Sequence, residues 1–419
     1  MQRAKNLPVA EQQFQPAESE WNRRTFRLEL LRSIPAGIIE TVGTTFAVFL
    51  AVSVFDASQN EKAILVASSS LGLLLSLFMV QVVRKIGCSI NTAIAVIAIF
   101  SATGFLVASL SPNFLTLYLV GVSVAQVGLT LSMPLYSHIY RQHYPSENRG
   151  RLFAVTGIVR KLAAVVAALA FGFWLREHPT HFPFLLGVYG LCCLLMAVCV
   201  QLMKPIKLRQ TADFRLFDAF SHVKRDRQFR LILIAWMILG FGNLICFGIF
   251  VEFIANPVYG FGLAADQVSA ITATTPGIFF LVTVFLWGLI FDRVNFFIVR
   301  IIINIFFILS VLVFFLGGDV WALYLGLALH GIGRAGGNIA WSLWVTKFAQ
   351  ADQVAEYMSV HTFLTGCRGT AAPFLSFSLA VYLSPQVVGV LGGSLMTLST
   401  LMMIPLLRES LAKKELGCS

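Results

Sequence analysis

Long stretches of this chain contain no charged residue. Cys88 to Tyr140 is one, interrupted only by the turn Ser111-Pro112-Asn113, and Phe182 to Met203 is another. A helix rises about 1.5 Å per residue, so about 20 apolar residues match the hydrocarbon core of a bilayer. Of the 419 residues, 57% are hydrophobic and 12% are charged, against roughly 45–50% and 25% in soluble domains. Such a chain has too few ionic groups to clothe a water-exposed surface. Strands of a transmembrane barrel alternate over about ten residues and do not run unbroken like this. The expected fold is all-α and polytopic.

Twelve spans fit the pattern, near 31–55, 63–83, 90–110, 114–140, 152–175, 182–203, 231–254, 268–290, 296–316, 320–348, 358–383 and 387–407. Turn-forming residues separate them, as in Asp56-Ala57-Ser58-Gln59, Gly317-Gly318-Asp319 and Ser384-Pro385-Gln386. The organisation expected is a tail over 1–24, a six-helix bundle over 25–203, a charged linker over 204–228, a second six-helix bundle over 229–409 and a tail over 410–419. In the linker Phe214, Phe217 and Phe220 recur at helical spacing, which suits a short helix along the membrane face.

The net charge of +11 would suggest nucleic acid for a soluble protein, but here the charges sit between apolar runs and set topology. With the N-terminus inside, only Lys62 and Arg176 of the 31 basic residues fall outside, and only Arg334 and Arg368 lie deep within spans. Both termini are therefore expected in the cytoplasm, in a cell inner membrane or plasma membrane, with no nucleic-acid partner. The first 24 residues have no apolar core of a signal peptide. The seven cysteines form no CxxC pair and mostly fall in apolar runs, so they read as small packing residues.

The halves echo one another. Phe26-Arg27-Leu28 opens the first span and Phe229-Arg230-Leu231 the seventh; at the same offset Gly37 matches Gly240 and Glu40 matches Asn243. Thr156-Gly157 to Ala164 in the fifth span resembles Thr365-Gly366 to Ala372 in the eleventh. Weak parallel repeats with a site at their interface mark a transporter. Gly288-Leu-Ile-Phe-Asp292-Arg293-Val-Asn295 then resembles the loop motif G-x-x-x-D-R-x-G of the major facilitator superfamily, with Asn295 for the last glycine. The equivalent after the second span, Arg84-Lys85-Ile86-Gly87, lacks the aspartate, while Pro145 to Arg151 is similar to the family's fourth-to-fifth connection. The fifth-span antiporter motif with its Gly-Pro pair is absent. The resemblance covers about residues 25–408. It implies two pseudo-symmetric bundles, a cavity lined by helices 1, 4, 7 and 10, flanked by 2, 5, 8 and 11, with 3, 6, 9 and 12 toward lipid. It also implies that Asp292 and Arg293 tie the inner helix ends in one access state, a gating role.

A charge at mid-bilayer costs roughly 2.5–3.5 kcal/mol, so deep ionic residues are informative. Glu40 lies about 18 Å into the first span, Arg334 about 20 Å into the tenth from outside, Arg368 about 16 Å into the eleventh and Arg160-Lys161 about 12 Å into the fifth. Gln126, Asn243 and Asn338 are deep but uncharged. The substrate-binding candidates are Glu40, Gln126, Asn243, Arg334, Asn338 and Arg368. Arg334 and Arg368 read as an anion site, as partners of Glu40 in an ion pair, or as makers of a helix-to-helix hydrogen bond. Glu40 reads as a proton carrier or a direct substrate contact, and Arg160 and Lys161 as gate or phosphate-snorkelling residues. His330 is a cavity or a packing histidine. Arg300 is expected to snorkel to the cytoplasmic surface, and Glu252 to sit near outer water. Gly331-Ile-Gly333-Arg334-Ala335-Gly336 matches GxGxxG but lacks a preceding strand, so it reads as close helix packing, not dinucleotide binding. No cofactor or metal is expected. The function expected is secondary transport of a small polar, anion-leaning solute by a monomer using alternating access, with protons as a candidate coupling ion. The alternative is a membrane-embedded receptor or enzyme on the same scaffold.

Overall fold

Polar residues between the apolar runs set where each helix starts. Backbone N–H groups left open in a membrane cost several kcal/mol each, so a capped start fixes the boundary. In the computed structural model, which describes residues 16–144, 149–207, 220–344 and 354–415, the helices are α1 (16–53), α2 (Gln59–Ile86), α3 (Ile90–Leu110), α4 (115–143), α5 (Arg149–Glu177) and α6 (Phe182–Gln201). After a short helical turn, Ser221–Arg225, come α7 (227–255), α8 (265–293), α9 (Phe296–Leu316), α10 (Val320–Leu343), α11 (Val354–Tyr382) and α12 (Pro385–Glu415). Ser58 and Glu61 form a reciprocal capping box on α2. Ser89, Asp226, Asn295 and Asp319 accept from the backbone N–H groups that open α3, α7, α9 and α10. Gly87 ends α2 at φ 73°, a left-handed position that suits glycine. Asn295, standing where the loop motif has glycine, also donates to Ser410 Oγ at 2.9 Å and so ties α9 to α12.

Ten of the helices are long and apolar enough to cross a membrane by hydropathy alone. The other two are α10 and α11, which are as long but carry His330, Arg334 and Asn338, and His361 and Arg368. These polar residues lower the mean hydropathy of both helices. The outside is apolar, with Phe100, Phe285 and Leu401 exposed, as a lipid-facing surface requires.

The packing repeats. In the first half α1 lies on α5 and α6, α2 on α4, and α3 on α4 and α6; in the second α7 lies on α11 and α12, α8 on α10, and α9 on α10 and α12. Each pairing recurs six helices later, which is the pseudo-symmetry expected. The matched glycines occupy matched crossings. A Cβ on Gly37 would meet the Arg160 carbonyl of α5 at 2.1 Å, and one on Gly240 would meet the Arg368 guanidinium of α11 at 2.1 Å. Gly331 of α10 lies against the Pro276 backbone of α8 in the same way, so the GxGxxG glycine serves helix packing. The halves meet along α2 with α11, α5 with α8, and the later ends of α1 and α7. Phe214 and Phe217 of the linker lie outside the described residues, and Phe220 packs 5.8 Å from Phe363. The six described cysteines are free.

Candidate functional site

Glu40 stands on α1 just before that helix changes its winding. Residues Val42–Phe46 form a π-helical turn, and Ala270–Thr274 of α8 form another. Such bulges recur at functional sites because they widen a helix and re-aim its side chains. The two bulges face each other across the seam. Thr272 Oγ1 donates to the Val268 carbonyl, so in the 2.7 Å contact between Thr45 and Thr272 the Thr45 hydroxyl is the donor.

Beside this bridge the carboxylate of Glu40 receives two cations from α5. Arg160 Nε donates to Oε2 at 3.0 Å and Lys161 Nζ donates to Oε1. Arg334 of α10 lines the same recess, with Thr44, Lys161, Thr272, Pro276, Gly277 and Phe280. Its guanidinium lies 6.0 Å from the Phe247 ring, and Lys161 Nζ lies 5.2 Å from that of Phe280. One carboxylate thus faces three cations, and the cluster carries a formal charge of +2. The recess itself is about 20 Å³, room for a water molecule and no more.

The two ends of the seam differ. Call the face bearing the N-terminal end of α1 the basic face. At the opposite face Lys62 of α2 donates to Glu252 of α7 at 2.8 Å, and the pair is buried, with 3% and 0% of each residue exposed. Asn256 Nδ2 also donates to Glu252, at 3.0 Å. Arg176 of α5 meets Asp266 of α8 at 2.9 Å, but this pair is half in solvent. A vestibule of about 420 Å³ lies next to the Lys62 latch, lined by Asp56, Lys62 and Asn256 among others. That face is sealed between vestibule and recess. Arg160, Arg334 and Asn338 are nonetheless exposed, so the mid-depth cluster opens toward the basic face.

Sequence reasoning placed Glu40, Arg160, Lys161 and Arg334 at depth, and the structure brings these four together. Asn338 lies one turn from Arg334, and Asn243 one turn from Phe247, with its Nδ2 lacking an acceptor. Gln126 is buried and donates to the Leu65 carbonyl of α2 at 3.2 Å. Arg368 is not with Arg334: its Nη1 donates to the Trp236 carbonyl at 2.6 Å, beside Gly240, about 10 Å nearer the basic face along α7 than Phe247. Asp292 and Arg293 are exposed at the end of α8 and make no ion pair among the described residues.

Two expectations are corrected, and one open alternative is decided. Glu252 is not near water but fully buried, because Lys62, expected in the outer loop region, is drawn into the seam to meet it. Arg300 does not snorkel; it turns inward onto the Trp236 ring at 4.0 Å. His330 packs among Phe247, Phe250 and Phe307, with ring centroids 6.1, 5.6 and 5.3 Å away, which is the packing reading. What sequence reasoning missed is the α8 wall, Thr272, Pro276 and Phe280. The Thr-Pro-Gly run at 275–277 was the available signal, since proline and glycine in a span loosen its ladder.

The Major Facilitator Superfamily model matches residues 33–316, and the chain belongs to that family. No match to a curated protein is found. Among solved structures, a mutant of the nucleoside transporter NupG is similar at a TM-score of 0.74 and 14% identity, over 91% of this chain and 99% of that one. A POT family transporter bound to a thioalcohol-conjugated peptide matches at 0.70 and 16%, over 93% and 96%. The human organic anion transporter MFSD10 matches at 0.61 and 16%, over 93% and 100%. At these identities the likeness is one of fold. The chain is a multi-pass membrane protein built as a transporter of this superfamily.

Proposed function

We propose that this chain is a secondary active transporter that moves a small polar anion by alternating access. The observation that carries the proposal is one carboxylate, Glu40, sharing a recess at the seam with Lys161 and Arg334 and paired with Arg160 beside it. Two positive charges there lack an internal counter-ion, and a carboxylate- or phosphate-bearing solute supplies it. Arg334 and Lys161 hold the anionic group. Asn243, with its unused Nδ2, and Asn338 read its polar remainder; Gln126 joins them once it leaves the Leu65 carbonyl. Glu40 competes with the solute for the same cations. A proton on Glu40 releases Arg160 and Lys161 to the solute, which gives protons a means of coupling. Arg368 has a different environment and is left out of this set.

In the orientation set by the basic residues, the basic face is cytoplasmic, both termini lie inside, and the conformation described is closed outside and open inward. The protein works as a monomer in a cell inner or plasma membrane, Asp292 and Arg293 gating the inner ends. The solved relatives named carry nucleosides, peptides and organic anions; the charge balance of this recess favours the last class.

The test is uptake into proteoliposomes with competition by organic anions, neutral sugars and cations at matched concentration. Saturable flux blocked by the anions alone is the expected result. Competition only by neutral or cationic solutes, or flux that never saturates, would sink the proposal.

A further inference from the structure

The second half buries Arg300 and half-buries Arg368, and no acid among the described residues neutralises them. Arg300 of α9 is 2% exposed. Its guanidinium covers the Trp236 ring, and its Nε has no acceptor. Arg368 reaches the Trp236 carbonyl through one Nη, and its Nε also has no acceptor. His361, two turns before Arg368 on α11, is fully buried, its ring 5.1 Å from that of Trp236. Trp344 Nε1 donates to His361 Nδ1 at 2.9 Å. An indole N–H can only donate, so Nδ1 is the bare nitrogen and the imidazole proton sits on Nε2. That N–H has no acceptor either.

Three buried N–H groups therefore stand around one tryptophan with no acceptor among the described residues. The three residues lie within electrostatic range of one another. Among the described residues no ion pair involves Arg300 or Arg368. The acid on α7 toward this end, Asp226, is about 15 Å away along the helix and already accepts from the Tyr357 hydroxyl. A buried charge is tolerated only when it is paired and its donors are used. Gly240 gives the Arg368 guanidinium its place against α7, since a Cβ there would collide with it.

We propose that Arg300, Arg368 and His361 form a second anion site, distinct from the Glu40–Arg334 recess, that takes a phosphate group. Two guanidiniums balance the two charges of a phosphate or phosphomonoester. A tetrahedral anion also offers oxygens to three donors at once, which a planar carboxylate with two oxygens does less well. The phosphate comes either from a free phosphate in the aqueous crevice or from a lipid headgroup, for Ile302, Ile305 and Leu309 put the far side of α9 at the apolar surface.

The test uses the full chain in nanodiscs of phosphatidylcholine, melted with and without inorganic phosphate at constant ionic strength, and again in nanodiscs containing phosphatidic acid. Phosphate or phosphatidic acid should raise the melting temperature by about 3–5 °C; a response to the lipid alone assigns the site to a headgroup. Arg334→Ala, which weakens the hold of the central recess on phosphate, should keep the rise, and Arg300→Gln added to it should abolish it. In the same background His361→Leu, which leaves both charges and removes one donor, should cut the rise at least in half and serves where Arg300→Gln does not fold. No rise from either source overturns the proposal, as does an equal rise when Arg300→Gln is added to Arg334→Ala. A rise lost in Arg334→Ala but kept in Arg300→Gln places the phosphate in the central recess and also overturns it, leaving the transport reading intact.

Discussion

Each half buries an arginine against an aromatic ring, and only one half supplies the counter-charge. In the first, Arg32 lies 4.2 Å from the Tyr136 ring; its Nε donates to Glu29 at 2.7 Å, its Nη2 also pairs with Glu29, and Tyr140 donates its hydroxyl to the same carboxylate. In the second, Arg300 lies equally close to Trp236 with no acid in contact among the described residues. The pattern extends to mid-depth. Glu40 of the first half binds Arg160 and Lys161, while Asn243 stands at the matching place in the second, and Arg334 and Arg368 find no carboxylate of their own. A duplicated scaffold has kept its helix crossings and divided its charge unevenly: the first half sets Glu29 and Glu40 against its deep cations, and the second half pairs none of its described acids with Arg300, Arg334 or Arg368.

The sharpest way to break this contrast is to make the first half resemble the second. Glu29→Leu strands Arg32 as Arg300 is stranded. Removing one partner of a buried pair costs about 3–5 kcal/mol, so the melting temperature should drop by several degrees, whereas Arg300→Met in phosphate-free buffer should be neutral or stabilising. If Glu29→Leu melts like the wild type, an unpaired buried arginine is cheap here and the contrast carries no ligand.

Across the sealed face the halves trade charges the other way, the first giving cations and the second acids. Lys62→Met leaves Glu252 buried and unpaired, and should open that face at a cost to the closed state of about 3–5 kcal/mol. Arg176→Ala removes an exposed pair worth at most about 1 kcal/mol. Thiol labelling of a cysteine placed at Thr272 should rise strongly in the first variant and little in the second. Adding Glu252→Leu to Lys62→Met should restore protection. Equal labelling in both single variants would mean the buried pair is no latch.

At the central recess, Arg334→Ala should lower transport at least tenfold, about 1.4 kcal/mol, with protein level unchanged. Glu40→Gln should remove the pH-driven part of the flux and spare exchange at equal pH. Wild-type flux in Arg334→Ala, or an unaltered pH response in Glu40→Gln, refutes the corresponding role.

The fold was largely legible before any coordinates. Uninterrupted apolar runs, basic loops and the Gly37/Gly240 match gave spans, class and repeat. Depth along a span was legible too, which is why Glu40, Arg160, Lys161 and Arg334 were found. Direction around a helix was not. Arg300 sits near a helix start, where snorkelling outward and turning inward are equal by sequence; a tryptophan on a different helix decides between them. Lys62 and Glu252 lie far apart in the chain, and each alone looks like a residue at the water boundary. The π-turns at 42–46 and 270–274 have no residue signature strong enough to mark them. Uncharged walls such as Thr272 and Phe280 give no depth signal, because nothing about them is costly in lipid.

The smallest effect tests how thoroughly the first half avoids unpaired charge. His143 ends α4 beyond the membrane span, buried, its Nδ1 3.3 Å from the Thr25 hydroxyl, with no acid paired to it among the described residues. Burial, and then the nearby Lys204 charge, hold its pKa down from the ordinary 6.5 to about 4. The folded state therefore keeps a neutral imidazole where the unfolded chain would take a proton. Stability is full above pH 6.5 and falls as the pH drops toward 4, because the unfolded state binds the proton first. Relative to His143→Gln, the wild type should lose about 1–3 °C of melting temperature between pH 7 and pH 5. A parallel pair of pH profiles would show that His143 ionises freely in the folded protein, and the first half would then tolerate an unpaired cation as the second does.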